Sequence, residues 1–198
     1  MFEMKKILAV ILFVSINIAC YAQWSIGLRD NQYVNVAYEL KDKWEFKLEH
    51  SVFAEKLPYQ YVRANVGYKQ PVNKFTFLGT IYGGAIYNGG FYNAGAKVGV
   101  DYMPIKRLKI DAAINPHYDS GYNYTTCYHG GVWFNAYKAL SIVASVSNIP
   151  EYRDAEDRAY LGLSFEVGPL WVSPRLSIPI EDVSIKSMRL LTSVKYKF

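Results

Sequence analysis

Three side chains suited to hydrolysis fall within four residues: His117, Asp119 and Ser120, in the stretch NPHYDSGYNY. A serine nucleophile needs its base within hydrogen-bond reach. In an extended chain successive side chains point to opposite faces. His117 and Ser120 then fall on different faces, and the geometry works against catalysis. His129 follows on the next segment and His50 stands apart. Three scattered histidines and the one cysteine beyond residue 22, Cys127, lack the spacing of a metal site. No cofactor motif accompanies them.

The charged residues are more regular. In YNAGAKVGVDY, Tyr92, Ala94, Ala96, Val98, Val100 and Tyr102 form one face. Asn93, Gly95, Lys97, Gly99 and Asp101 form the other. In LKIDAAINPHY, Leu108, Ile110, Ala112, Ile114, Pro116 and Tyr118 oppose Lys109, Asp111, Ala113, Asn115 and His117. Other polar faces carry Glu45, Lys47, Glu49, Arg63, Arg175, Arg189 and Lys195. Buried charges must be paired or hydrated. A network of alternating charge on one side of a sheet supports either a selective pore or a salt-bridged plug. Bulky Tyr33, Tyr61, Trp133, Tyr137 and Trp171 on the same faces point to a narrow bore.

Such residues need strands to position them, and the period-two pattern recurs from residue 23 to the end. Five short polar breaks, near Lys41–Lys43, Gln70–Lys74, Pro104–Arg107, Tyr137–Ala139 and Gly168–Pro169, mark one set of turns. A second set lies at Ala54–Pro58, Asn88–Phe91, Asp119–Tyr124, Asn148–Asp157 and Pro179–Lys186. An Asp30-Asn31 turn separates a short first strand, Trp24–Arg29, from the second. The count is twelve strands, with ten or eight as alternatives. The first hairpin is the weak point, because it has only about 18 residues for two membrane-crossing strands.

A soluble sandwich or lipocalin-like barrel shows the same alternation. Two features favour a membrane barrel: the apolar faces carry almost no charge, while the polar faces carry much. Tyr92, Tyr102 and Tyr118 then mark the membrane interfaces. The composition agrees, with 18 Tyr, 10 Phe and 4 Trp. A net charge of +5 without a Lys/Arg block gives little support to nucleic-acid binding.

The first residues read as a secretory signal over 1–22. Lys5 and Lys6 precede the apolar run Ile7–Ala19, and cleavage is expected before Gln23. An uncleaved anchor is disfavoured by the short run, and lipidation at Cys20 by Asn17 in the preceding motif. The barrel is expected over 23–198, with Cys127 as its lone cysteine and no disulfide.

The chain ends in LLTSVKYKF, with Val194, Tyr196 and Phe198 alternating up to the terminus. This resembles the C-terminal signal of bacterial outer-membrane β-barrel proteins. The resemblance implies an all-β, antiparallel, up-and-down transmembrane barrel in the outer membrane. It also implies contact with lipid and with the barrel-insertion machinery, Tyr196 and Phe198 serving as the assembly signal. The expected lumen-lining residues are Glu45, Lys47, Arg63, Lys97, Asp101, Lys109, Asp111 and Arg175. The preferred function is a passive pore or small-solute channel. The second is a structural barrel that binds an envelope-protein partner. The third is a lipid-modifying enzyme, although outer-membrane lipid hydrolases carry His, one residue, then Ser, and here Asp119 intrudes.

Overall fold

The structure, a computed structural model, describes residues 22–52, 60–121, 123–148, 156–181 and 183–198. The expected signal segment lies outside the described residues, save for Ala22, which opens the first strand. The loop expected at Ala54–Pro58 also lies outside them, as does most of Asn148–Asp157.

Twelve strands succeed one another: β1 (Ala22–Arg29), β2 (Tyr33–Leu40), β3 (Trp44–Ser51), β4 (Tyr61–Val72), β5 (Phe75–Ile86), β6 (Tyr92–Ile105), β7 (Leu108–Asp119), β8 (Asn123–Tyr137), β9 (Leu140–Ser147), β10 (Arg158–Val167), β11 (Leu170–Pro179) and β12 (Arg189–Lys197). Each pairs antiparallel with its chain neighbour, and β12 returns to β1. The sheet is therefore a closed barrel of twelve strands, not ten or eight. Closure removes the exposed edges that an open sheet would leave. The first hairpin fits because β1 and β2 need only eight residues each.

One end of the barrel carries connections of two or three residues only, and the other carries every longer one. Two turns show why they can be so tight. Asp30 and Asn31 have φ of 55° and 59°, and Lys41 and Asp42 have 52° and 54°. Left-handed pairs of this kind match the twist of a hairpin. Gln32 N–H donates to Arg29 O at 3.0 Å, and Lys43 N–H to Leu40 O at 3.1 Å, closing each turn.

The burial is inverted relative to a soluble protein. Ile81, Val98 and Ile114 are more than half exposed, whereas Glu49 is 1 % exposed. The outer face is apolar along every strand, and the polar face points into the lumen. In water that outside would be unfavourable at about 25 cal/mol per Å². In lipid it is the required surface, and the closed ring of ladders leaves no strand edge unpaired.

Two register shifts break the alternation, one between Tyr102 and Ile105 and one between Asn135 and Tyr137. The second corrects an expectation. Tyr137 pairs with Leu140, which lies in phase with the outward Ile142 and Val146, and Tyr137 is itself 66 % exposed. An extra residue in one strand reverses the facing of the residues after it. Tyr137 therefore points outward and does not narrow the bore.

Candidate functional site

The lumen is the candidate site, and its inward side chains form two clusters on different arcs of the wall. The first spans β1 to β4 and reaches β11. Glu49 accepts hydrogen bonds from Arg29 Nε at 2.9 Å and from Arg63 Nη2 at 2.6 Å. Lys47 Nζ lies 3.4 Å from the same carboxylate. Arg63 faces Glu49 directly across the β3–β4 ladder, whereas Arg29 comes from two strands away. The Arg29 guanidinium also stands 4.3 Å above the Tyr33 ring and 3.5 Å from Asp30. Arg175 of β11 donates to Asp30 from the other side of the β1–β12 seam. Ser193 Oγ donates to the same Asp30 oxygen at 3.0 Å.

The second cluster lies on β6 to β8. Asp111 is 2.6 Å from His129 Nε2 and accepts the Trp133 indole N–H at 2.7 Å. Lys109 is 3.7 Å from Asp101 and sits 4.6 Å above the Trp133 ring. A cation over an indole face is a favourable contact in its own right.

Two bulky inward tyrosines lie against glycines of the next strand. Tyr61 lies over Gly84 and its hydroxyl bonds Asn93. Tyr82 lies over Gly95 and its hydroxyl donates to Asn115 Oδ1 at 3.1 Å. A Cβ at either glycine would overlap the ring above it. Each ring thus lies along the wall and not across the lumen, a packing that only glycine permits. Of the side chains expected to narrow the bore, Tyr61 lies along the wall in this way, and Trp133 and Trp171 line a smaller lumen space.

Between the arcs is a cavity of about 410 Å³. Its lining holds Arg29, Lys47, Arg63, Lys97 and Arg175 against only two carboxylates, Asp30 and Glu45. A smaller space of about 210 Å³ brings Trp133 and Trp171 opposite Lys47 and Lys195. The eight expected lumen residues are distributed over these walls. Glu45, Lys47, Arg63, Lys97 and Arg175 line the main cavity, and Asp101, Lys109 and Asp111 belong to the second cluster. Arg29 and Asp30 are absent from the expected set because they sit at an expected turn. Nothing local in the sequence signals that Asp30 meets Arg175, 145 residues away.

At the aromatic rims, Tyr92 and Tyr118 neighbour each other with ring centres 6.1 Å apart at the longer-loop end. Tyr102 stacks on Phe75 at 4.7 Å near the short-turn end. Tyr196 and Phe198 pack edge to face at 5.1 Å, and Phe198 N–H donates to Trp24 O at 2.9 Å.

The hydrolytic candidates are not assembled. His117 Nε2 is 3.7 Å from Asp119, and its Nδ1 is 3.8 Å from the buried Cys127 sulfur. Ser120 sits in the turn and accepts the Tyr92 N–H at 3.0 Å.

A closed twelve-strand barrel with an apolar belt and a charged lumen is the fold of an outer-membrane porin. No known protein family and no curated protein matches the sequence. The solved structures that are similar include the KdgM porin, on its own and in complex with disordered oligogalacturonate. Both have a TM-score of 0.66 at 9 % identity, covering 89 % of this chain and 98 % of theirs. The NanC porin is also similar, with a TM-score of 0.55 at 9 % identity, covering 89 % of this chain and 97 % of its own.

Proposed function

We propose that the chain is a passive pore for small solutes, with a preference for anions. The observation that carries this reading is the lining of the main cavity, where five cationic side chains and two carboxylates face the space while Glu49, the partner of Arg29, Lys47 and Arg63, is buried in the wall behind them. Unbalanced charge in a pore biases which ions enter. A KdgM porin structure holds oligogalacturonate, an anion, which agrees in sign. Planar-bilayer recording tests the proposal. Stepwise conductance with a reversal potential of anionic sign in a salt gradient supports it. Cation selectivity sinks it.

A second reading has its own observation. Tyr33, Tyr61, His117, Asp119 and Cys127 are each at most 3 % exposed, so the longer-loop half of the lumen is tightly filled. A barrel plugged there serves as a structural element or docks an envelope partner. Absence of conductance from correctly folded protein favours it. In either case outer-membrane lipid surrounds the barrel, and the terminal Phe198 is the residue offered to the insertion machinery.

A further inference from the structure

Most lumen charges are neutralised by a neighbour, but Glu45 and Lys97 are among those that are not. Among the described residues, Glu45 and Lys97 make no ion pair or side-chain hydrogen bond. They are linked by the register. Glu45 pairs with Gly67, Gly67 with Thr80, and Thr80 with Lys97. The four residues form one row across β3, β4, β5 and β6, all facing inward. The two between the charges are the smallest in reach: glycine has no side chain and threonine a short one. The row is therefore a trough with a carboxylate at one end and an ammonium at the other.

A cavity of about 190 Å³ occupies it, with Leu78 adding an apolar patch to the floor. At ~30 Å³ per water this is room for roughly six waters. Lys97 and Thr80 line both this space and the main cavity, and Glu45 lines these two and the third. The trough lies where the lumen spaces meet, so a solute passing through encounters it.

We propose that this row binds zwitterionic solutes with well-separated terminal charges, of the size of a short peptide. Three strand spacings of ~4.8 Å set the backbone positions of Glu45 and Lys97 about 14 Å apart along the wall. An extended dipeptide spans about 7 Å, and with a charge-assisted contact of ~2.8 Å at each end it fits between those backbone positions, the two long side chains closing the remaining gap. Its carboxylate meets Lys97 and its ammonium meets Glu45, while the backbone lies over Gly67. A simple anion satisfies only Lys97 and leaves Glu45 facing it. The net positive lumen attracts anions in general, and the trough adds selection for a second, positive group. The biological use of the site rests on the channel reading above, though its geometry does not.

Alanylalanine, N-acetyl-alanylalanine without the ammonium, and alanylalaninamide without the carboxylate serve as probes. With wild-type protein in planar bilayers, alanylalanine is expected to interrupt the current at a concentration at least tenfold below either analogue. Glu45→Gln should erase its advantage over the acetylated peptide, and Lys97→Met its advantage over the amide. The paired exchange Glu45→Lys with Lys97→Glu keeps both charges and should restore the preference, which guards against a folding defect in the single variants. Equal interruption by all three probes in wild type overturns the proposal while leaving the channel intact. If no current flows, saturation-transfer NMR on the detergent-solubilised protein reads binding directly. Preference there defeats the channel and keeps the site, whereas equal or absent binding defeats the site.

Discussion

Glu49 and Asp111 are both inward carboxylates of one barrel, yet they are held in opposite ways. Glu49 is 1 % exposed and gathers three cations, one of them from two strands away. Asp111 is held by His129 and Trp133, both on the adjacent β8. Its neighbouring pair, Asp101 with Lys109, sits at 3.7 Å with both side chains partly exposed. The first arrangement ties strands that share no backbone ladder. The second leans on a ladder already present. The difference separates a carboxylate held across strands from one held along a single ladder.

The largest expected effect comes from breaking the first cluster. Glu49→Gln leaves Arg29 and Arg63 without their buried counter-charge, and removing one partner of such a group costs about 3–5 kcal/mol. Urea titration in detergent, followed by the gel shift of the folded barrel, should show that loss. A change below about 1 kcal/mol, the range of an exposed pair, would mean that the cluster is hydrated and not structural.

Next in size is the outer face of the second arc. Val98 is 57 % exposed on β6 beside the inward Lys97. Val98→Arg places a charge in the apolar belt and should cost about 2–4 kcal/mol near mid-membrane. Refolding into lipid vesicles measures it, and tolerance equal to that of a loop position would remove lipid from that face.

The double change Asp101→Asn with Asp111→Asn should alter stability little and selectivity more. It takes Asp101 from Lys109 and removes both carboxylates of the second arc, so the reversal potential should move further toward anions. An unmoved potential in a conducting channel would take these residues off the path. The smallest effect is expected from Lys109→Met, whose partly exposed pair is worth about 0–1 kcal/mol. A loss as large as that of Glu49→Gln would erase the contrast between the arcs.

The strand number and the turns are legible because alternation and left-handed turn residues are local properties. Asp30-Asn31 and Lys41–Lys43 announce hairpins within a few positions of themselves. The inward placement of Lys97 and Asp101 comes from the same parity. Partnership does not. Arg29 reaches Glu49 over an intervening strand, and the row Glu45–Gly67–Thr80–Lys97 exists only once four strands are in register. Tyr137 defies the parity rule because a bulge resets facing without a sequence mark. The inward tyrosines obey it, but how they lie is hidden for a related reason: the glycines that accept Tyr61 and Tyr82 lie on the next strand, where a single-chain reading cannot align them.

The seam between β1 and β12 has a consequence for how the barrel closes. Eleven strand contacts join chain neighbours, and each needs only a short loop to bring its strands together. The twelfth closes a circle across more than 160 residues, with four paired positions from Ser25–Lys197 to Leu28–Val194. Loop entropy makes it the costliest contact to form. The Asp30-Asn31 turn compensates beyond the ladder. Asp30 N–H donates to Ser193 Oγ at 3.0 Å, Asn31 N–H to Thr192 O at 3.0 Å, and Asn31 Nδ2 to Leu190 O at 3.1 Å. A hairpin turn at the start of the chain is thus also the latch that fastens its end.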